Sequence, residues 1–213
     1  MMNTCYIACA LDCEIKIDPQ EGDLIIGADR GYFTLVENGI LPHVVIGDFD
    51  SYTGNIDCEN VIVHPVKKDD TDSALAIEYA IEQGYKKIVV FGAIGGELDH
   101  TIANISLVAR YTERGIDISF VDKENALFGV YNSSVHFSKL ASGRISVFAF
   151  NDKAFGVCER GLLYSLDNAT LENKIPLGVS NEFTGEKSSI SAENGTLLIY
   201  TRRENYENHL TRG

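Results

Sequence analysis

Aspartates stand close together in the segment Gly47-Asp48-Phe49-Asp50-Ser51, which directly follows the apolar run at residues 44–46. The run predicts a buried parallel strand, and ligands of open parallel sheets bind outside the carboxyl ends of the strands. On extended chain an i, i+2 pair points both carboxylates the same way, and hard oxygen ligands of this kind suit magnesium. The alternative is that Asp48 and Asp50 cap a turn, because aspartate is common in loops.

A second acidic segment, Lys68-Asp69-Asp70-Thr71-Asp72, follows the apolar run at residues 61–63 and opens a predicted helix at residues 71–83. One aspartate or threonine is enough to cap a helix and to complement its dipole. Three aspartates in four positions exceed that need and repel one another. We therefore expect a metal or nucleotide role for some of them, and we predict Asp70 as the structural cap.

A glycine-rich segment, Gly92-Ala93-Ile94-Gly95-Gly96-Glu97-Leu98-Asp99-His100, follows the apolar run at residues 88–91. Its glycines allow a close approach of backbone to ligand, and the helix after them can face an anion. The segment is neither a Walker A loop nor a G-x-G-x-x-G fingerprint, so an ordinary turn is the alternative. Asp29, after the run at residues 24–28, adds an acid at a fourth strand end.

Alternating strand and helix patterns position these four segments. Short apolar runs predict strands at residues 6–11, 24–28, 44–46, 61–63, 88–91 and 118–121. Helical periodicity predicts helices at residues 31–38, 71–83 and 100–112. Such an alternation is typical of an α/β fold with a parallel sheet. The four strand ends are therefore expected to converge on one edge of a Rossmann-like sheet.

The pattern changes after Asn125 to short β-rich runs separated by turn signals. These runs lie at residues 126–130, 135–137, 144–150, 156–159, 188–191 and 196–201, with no helix predicted among them. They favour an antiparallel β-sandwich. We therefore predict two closely packed domains, an α/β domain at residues 1–128 and a smaller β-rich domain at residues 129–213.

The formal net charge of -13 limits the possible partners. An acidic protein repels nucleic acid and anionic membranes, and it needs divalent cations to accept a phosphorylated ligand. The five cysteines form no C-x-x-C pair, and their odd number argues against a disulfide framework. The N-terminus has no basic residue before Lys16, and no apolar run reaches membrane length. We expect a cytoplasmic, metal-dependent protein that binds neither nucleic acid nor membrane.

Six motifs in this order closely resemble the thiamine pyrophosphokinase family. They are Ala28-Asp29-Arg30-Gly31, Ile46-Gly47-Asp48-Phe49-Asp50-Ser51, Lys68-Asp69-Asp70-Thr71-Asp72, Gly95-Gly96-Glu97-Leu98-Asp99-His100, Gly161-Leu162-Leu163-Tyr164 and Pro176-Leu177-Gly178-Val179-Ser180-Asn181-Glu182-Phe183. The resemblance covers most of the chain. It implies transfer of a pyrophosphoryl group from ATP to the hydroxyl of thiamine, which gives thiamine diphosphate and AMP by attack on the β-phosphorus.

The resemblance also implies a metal and nucleotide site in the first domain. By that analogy Asp48, Asp50 and Asp72 hold Mg²⁺ and form the catalytic set. The residues that we predict to bind the nucleotide are Asp29, Lys68, Asp69, Thr71, Gly95 and Gly96.

The acceptor site follows from the same resemblance. Asp99 is expected to face thiamine in the first domain. Ser180 and Asn181, from the β-rich domain, are expected to reach thiamine across the interface of a homodimer, because family members bind it between subunits.

One position departs from the family pattern. Glu97 stands where family members commonly have arginine, which suits phosphate binding. A carboxylate cannot serve in that way, so Arg30, Lys67, Lys68 or a residue of a partner subunit compensates, or the affinity for ATP is lower.

Three other functions use the same residue types. A related diphosphokinase could act on another alcohol, such as a hydroxymethylpterin, and the Ser180-Asn181 segment argues for thiamine instead. A metal-dependent phosphohydrolase could use the same aspartates to activate water. A noncatalytic module could bind nucleotide or thiamine without turnover.

Overall fold

The computed structural model describes residues 3–48, 56–63 and 71–213. The chain divides into two compact units, one formed by Met1–Leu107 with Ile116–Lys123 and the other by Val108–Gly115 with Glu124–Gly213. The predicted site residues Asp50, Lys68 and Asp69 lie outside the described residues. Within the described ranges, every helix is too short or too polar to cross a membrane.

The first unit contains parallel strands connected through helices. The strands are β1 (Thr4–Ala8), β2 (Leu24–Ala28), β3 (Val44–Gly47), β4 (Val61–Val63), β5 (Lys87–Phe91) and β6 (Asp117–Val121). The helices are α1 (Gly31–Glu37), α2 (Asp72–Glu82) and α3 (Leu98–Glu113), of which the last turns group with the second unit. Each strand and helix predicted for this part of the sequence is present, with its ends shifted by a few residues.

The order of these strands is β4-β3-β2-β1-β5-β6, and every neighbouring pair is parallel. All but the first residue of β2, β5 and β6 are buried, and β3 is buried throughout. Burial on both faces explains why these strands are continuous apolar runs in the sequence. Strands β2, β3 and β4 lie on one side of β1, and the chain then places β5 and β6 on the other side. Such a switch point leaves a crevice at the carboxyl ends of the strands.

Helix α1 approaches strand β1 closely because its first residue is Gly31. A Cβ at this position would lie 1.9 Å from the carbonyl oxygen of Ala8, which is shorter than any real contact of a Cβ atom. Glycine therefore lets the helix start directly against the end of β1. This packing places Asp29, two residues earlier, at the edge where β1 and β2 end.

The second unit is antiparallel. Its strands are β7 (Asn125–Tyr131), β8 (Ser134–Phe137), β9 (Arg144–Arg160), β10 (Leu166–Glu172), β11 (Asn181–Glu182), β12 (Ser188–Ser191), β13 (Asn194–Arg202) and β14 (Leu210–Arg212), and its helix is α4 (Arg203–His209). The order is β14-β8-β12-β9-β13-β7, and β10 and β11 also pair with β9. Phe128, Ile145, Val157, Leu197 and Ile199 are fully buried in its core. The molecule is thus a mixed α/β protein.

The second unit differs from the sequence prediction in five elements, two of which are the short strands β11 and β14 that were not predicted. Strand β9 is one long strand where two runs separated by Asn151-Asp152 were predicted, because the pairing with β13 shifts its register there and continues, with Asn151 at a positive φ of 63°. Strand β10 was not predicted, since Leu171 is its one buried residue. Helix α4 was not predicted either, and it is fixed by Asn205, whose amide group bonds to both backbone polar groups of Ser142.

Candidate active site

A cavity of about 470 Å³ opens where strands β1, β2, β3 and β5 end. The predicted site residues that line it are Asp29, Asp48, Thr71, Asp72 and Gly95, together with Glu97. The position agrees with the crevice expected at the switch point between β1 and β5. Cys9, Ala10 and Leu11, which follow β1, also line the cavity and were not predicted. The sequence could have indicated these three residues, because residues that follow a strand beside the switch point contribute to such a crevice.

Asp29 occupies an unusual backbone conformation at the end of β2. Its φ is 49°, in the left-handed region that few residues other than glycine adopt, although aspartate is among those that do. Its backbone amide donates a hydrogen bond to the carbonyl oxygen of Ile46 at 2.7 Å. This bond joins the ends of β2 and β3, and it brings Asp29 to the cavity that Asp48 also lines.

Asp48 and Asp72 reach the cavity from different elements. Asp48 follows β3, whose four residues are buried, and Asp72 is the first residue of α2. With Asp29 and Glu97 they make four carboxylates around one cavity, and the described lining residues include neither lysine nor arginine. A cavity lined by carboxylates favours a cation over an anion.

The chemistry of this donor set fits Mg²⁺, which prefers carboxylate oxygens. Within residues 3–48, 56–63 and 71–213, three or more acidic, histidine or cysteine side chains are nowhere grouped closely enough to hold a metal ion. Asp48 and Asp72 line the cavity, and the third predicted ligand, Asp50, lies outside those ranges.

Thr71 is the N-cap of helix α2. Its backbone is extended, with φ -74° and ψ 158°, and its hydroxyl oxygen accepts a hydrogen bond from the amide of Ala74 at 3.3 Å. The prediction that Asp70 caps this helix was therefore wrong. Both residue types cap helices well, and the residue that adopts extended backbone directly before the first turn takes the role. Thr71 also lines the cavity, where nucleotide binding was predicted.

A buried hydrogen-bond network at the cavity was not predicted from the sequence. The hydroxyl of Ser73 donates to the side-chain oxygen of Asn104 at 2.9 Å, and the Asn104 amide donates to the carbonyl of Ala93 at 2.7 Å. Ser73 and Asn104 are buried. Because Ser73 and Asn104 are 31 positions apart, no local pattern could reveal the bond.

The glycine-rich segment after β5 is held by Thr101 of helix α3. The Thr101 hydroxyl donates to the carbonyl of Gly95 at 2.9 Å and accepts from the amide of the same residue at 3.1 Å. Gly92 has φ 66°, and a Cβ there would lie 2.3 Å from the carbonyl oxygen of Leu11. The segment is thus a fixed loop in which glycine allows one strand end to lie against another.

Two predicted residues of this segment are not in the lining of the cavity. Gly96 precedes the wall residue Glu97, and Asp99 lies in the first turn of α3. The Asp99 carboxylate accepts a hydrogen bond from the amide of His100 at 2.8 Å. His100 itself lines the cavity and was singled out only as a neighbour of Asp99.

Cys9 is a thiol in the lining of this cavity. Burial, together with the neighbouring Cys13 and Asp72, raises the pKa of the Cys9 thiol to about 12, which favours the protonated form. A thiol in this state is neither a nucleophile nor a metal ligand at neutral pH. The cavity therefore favours phosphoryl chemistry without a covalent protein intermediate.

Ser180 and Asn181 belong to the second unit. Ser180 is exposed, has φ 60°, and donates its backbone amide to the hydroxyl of Ser146 at 3.0 Å. Asn181 is 3% exposed, and its side chain is engaged in hydrogen bonds within this unit. The two residues thus differ, since Ser180 lies at the surface and Asn181 below it.

Comparisons with known proteins agree with this architecture. The family described as thiamin pyrophosphokinase, catalytic domain, matches residues 19–120, and the family described as thiamin pyrophosphokinase, vitamin B1 binding domain, matches residues 134–197. A thiamine pyrophosphokinase of Bacillus subtilis (strain 168) is 31% identical over 186 residues, which are 84% of this chain and 87% of the relative. Thiamin pyrophosphokinase 1 of Caenorhabditis elegans is 26% identical over 170 residues, which are 75% of this chain and 69% of the relative.

The crystal structure of thiamine pyrophosphokinase from Bacillus subtilis has the same fold. The TM-score is 0.83 at 27% identity, over 94% of this chain and 99% of that chain. The fold and the acidic cavity define a mixed α/β protein that brings carboxylates together at the ends of parallel strands. With matches over most of its length, the chain belongs to the thiamine pyrophosphokinase family. The resemblance predicted from the six motifs is confirmed.

Proposed function

We propose that this chain is a Mg²⁺-dependent enzyme that transfers the pyrophosphoryl group of ATP to the hydroxyl of thiamine, giving thiamine diphosphate and AMP. The observation that carries the proposal is the shared cavity of Asp48 and Asp72 in a member of the thiamine pyrophosphokinase family. In the reaction the hydroxyl oxygen of thiamine forms a bond to the β-phosphorus of ATP. The bond from that phosphorus to the oxygen that AMP retains breaks, and the hydroxyl proton is released.

Asp48 and Asp72, with Asp50, would hold the metal ion. Mg²⁺ held there would supply positive charge to offset the charge that develops on the phosphates during transfer. To bind a metal ion, these carboxylates must keep their oxygens at the cavity. Two structural features help to hold them there. Asp48 follows a buried strand, and Asp72 lies in a helical turn that Thr71 caps.

We assign nucleotide binding to the residues that form the walls of the cavity. The first turn of α2, capped by Thr71, offers the positive end of an 11-residue helix to phosphate. Gly95 presents backbone that Thr101 holds in place. The other residues assigned to the nucleotide are Asp29, Lys68, Asp69 and Gly96.

Thiamine is assigned to Asp99 of the first part of the chain and to the Ser180-Asn181 segment of the second, in which Ser180 is exposed and the buried Asn181 supports it. We accordingly assign catalysis, metal and ATP to a Rossmann-like domain at residues 1–128. Thiamine binding and dimerisation are assigned to a β-sandwich domain at residues 129–213. Strand β9 supports the sandwich, because its first part pairs with β13 and its last part with β10 and β12.

A homodimer with thiamine at the interface completes the proposal, in a cytoplasmic protein with five free thiols. Its support is the apolar surface of the second unit, where Leu163, Tyr164, Leu177 and Val179 are exposed by 43% to 67%. A contiguous exposed apolar patch marks a contact surface, and hydrogen bonds bring the segment at residues 161–164 against the end of the segment at residues 176–183. Sedimentation at several concentrations tests the dimer, and Leu177→Glu should produce a monomer with a higher KM for thiamine. A wild-type monomer would contradict this part of the proposal.

The function is tested by product analysis of the purified protein with ATP, Mg²⁺ and either thiamine or a hydroxymethylpterin. We expect thiamine diphosphate and AMP in equal amounts, and loss of turnover on chelation of Mg²⁺. Reaction with the pterin alone would indicate a related diphosphokinase. Orthophosphate release without an acceptor would indicate a phosphohydrolase, and absence of turnover with intact binding would indicate a noncatalytic module.

A further inference from the structure

The second unit contains a buried carboxylate to which the reaction assigns no role. Glu159, near the end of β9, is 1% exposed, and glutamate is almost never this buried without a partner. Its Oε2 accepts a hydrogen bond from the amide nitrogen of Asn181 at 2.9 Å. Its Oε1 is buried and has no hydrogen-bond partner among the described residues. Burial raises the pKa of Glu159, and the bond from Asn181 opposes that shift.

The Asn181 side chain has no hydrogen-bonding capacity left for a ligand. Its nitrogen donates to Glu159 Oε2 and to the carbonyl of Tyr164, the latter at 2.6 Å. Its oxygen accepts from the amides of Tyr164 and Glu182, at 3.0 and 2.9 Å. An asparagine side chain offers two donors and two acceptor sites, so all four are engaged. Asn181 therefore acts through the groups that it holds.

These bonds join the two C-terminal motifs of the family resemblance, at residues 161–164 and 176–183. Asn181 bonds to both backbone polar groups of Tyr164. The amide of Leu163 donates to the carbonyl of Glu182 at 2.9 Å, and Leu162 forms a bridge with Phe183. The segment at residues 161–164 is thus fixed onto strand β11.

The surface above this junction is apolar and accessible. Tyr164 is 67% exposed, Leu163 54% and Val179 43%. Ser180, next to Asn181, is held in the left-handed region with its amide on Ser146. A buried polar pair therefore lies under an exposed surface of aromatic, aliphatic and hydroxyl groups. Such a surface suits a flat heteroaromatic ligand with polar substituents.

We propose that Glu159 and Asn181 are a positioning pair for the acceptor site, which set the surface at Tyr164 and Ser180 that thiamine contacts. The inference rests on the proposed function, since it names how the acceptor surface of that reaction is built. A carboxylate accepts hydrogen bonds and cannot donate them, so Glu159 fixes the Asn181 amide with its nitrogen towards the Tyr164 carbonyl and its oxygen towards the Tyr164 amide. Neither residue contacts the reacting atoms.

The first test removes the acceptor from position 159. Glu159→Leu keeps a similar volume without the carboxylate, and Glu159→Gln keeps an acceptor oxygen. We expect Glu159→Leu to raise the KM for thiamine about tenfold, as loss of one buried hydrogen bond does. Glu159→Gln should stay within about twofold of the wild type, and kcat and the KM for ATP should change little in both.

The matched control removes a carboxylate from the same sheet. The Asp167 side chain is 86% exposed and pairs with Arg160 at 3.4 Å on the surface. Asp167→Asn should leave the KM for thiamine unchanged, because exposed ion pairs contribute little. If Asp167→Asn raised this KM as much as Glu159→Leu, loss of charge alone would explain the effect and the inference would be overturned.

The second test exchanges the polarity of the pair. Asn181→Asp removes the donor that Glu159 needs, and we expect a higher KM for thiamine. The double variant Glu159→Gln/Asn181→Asp places a donor opposite an acceptor again but does not restore the bond to the Tyr164 carbonyl, so it should recover part of the lost affinity, about threefold. This recovery distinguishes a positioning pair from a general loss of structure.

Failure of the inference and failure of the function give different results. A wild-type protein that makes no thiamine diphosphate overturns the proposed function and the inference with it. An active wild type with an unchanged KM for thiamine in folded Glu159→Leu overturns the inference alone. If Glu159→Leu does not fold, the polarity exchange decides, and a double variant without recovery overturns the inference.

Discussion

The hydroxyl of Ser73 donates to the side-chain oxygen of Asn104 at 2.9 Å, and this bond joins the start of helix α2 to helix α3. The Asn104 nitrogen donates to the carbonyl of Ala93 in the loop after β5. One buried side chain thereby fixes two walls of the acidic cavity. The metal and phosphate groups of the proposed reaction depend on the spacing of these walls.

Asn104→Ala should lower the free energy of unfolding by about 1 to 3 kcal/mol, because it leaves the buried Ser73 hydroxyl and Ala93 carbonyl without their partner. Urea denaturation measures the change. Ser106→Ala is the matched control on the same helix, since its hydroxyl is exposed and bonds only within the helix, to Ile102. Equal destabilisation by the two substitutions would contradict the role given to Asn104.

Asp48→Asn and Asp72→Asn should each lower kcat by about 10³-fold or more, because the charge that develops on the phosphates would lose its metal. Steady-state kinetics over a range of Mg²⁺ concentrations measures the loss. Glu82→Gln is the control, because Glu82 is an exposed acid at the other end of helix α2. Near-normal turnover in both aspartate variants would disprove the metal assignment.

Glu97→Arg should lower the KM for ATP by about tenfold, because it replaces repulsion of phosphate by attraction at the wall of the cavity. The change should shrink with added salt, which screens exposed charges. Glu82→Arg changes the net charge equally at a position away from the lining, and it should leave this KM nearly unchanged. An unchanged KM for ATP in Glu97→Arg would show that glutamate in place of the family's arginine does not affect ATP binding.

Glu159→Gln should change the dependence of stability on pH. Burial raises the pKa of Glu159 above its ordinary 4.5, so the unfolded chain releases this proton at lower pH than the folded protein. The stabilisation that Glu159 contributes is therefore fully present below pH 4.5. It is lost as the pH rises towards the pKa of Glu159 in the folded protein. The variant lacks this loss, so its free energy of unfolding should rise relative to the wild type from pH 4.5 to neutral pH. A difference independent of pH in urea denaturation would contradict the shift.

Much of the first unit could be predicted because its signals are local. A buried parallel strand is a continuous apolar run, and an acid directly after it lies at the ligand-binding edge. This reasoning placed Asp29 and Asp48 on one cavity, and the predicted start of helix α2 added Asp72. It could not find Asn104, because an asparagine inside a helix shows no sign of partners 31 and 11 positions away.

The second unit was harder to predict because its pairings decide its elements. The Asn151-Asp152 pair has the composition of a turn, yet the neighbouring strand β13 shifts its register there and β9 continues. Position 181 shows a similar limit. Its asparagine was expected to reach thiamine, and only the structure reveals that four internal hydrogen bonds engage its side chain.

Thr71 links the stability of a helix turn to the state of the cavity, since its hydroxyl accepts a hydrogen bond from the amide of Ala74 and the residue is part of the cavity lining. A ligand that engages this hydroxyl alters the opening equilibrium of that one amide. Deuterium uptake at Ala74 is therefore a reporter of occupancy that requires no turnover. With it, nucleotides and divalent cations can be ranked by binding alone, before any acceptor is added.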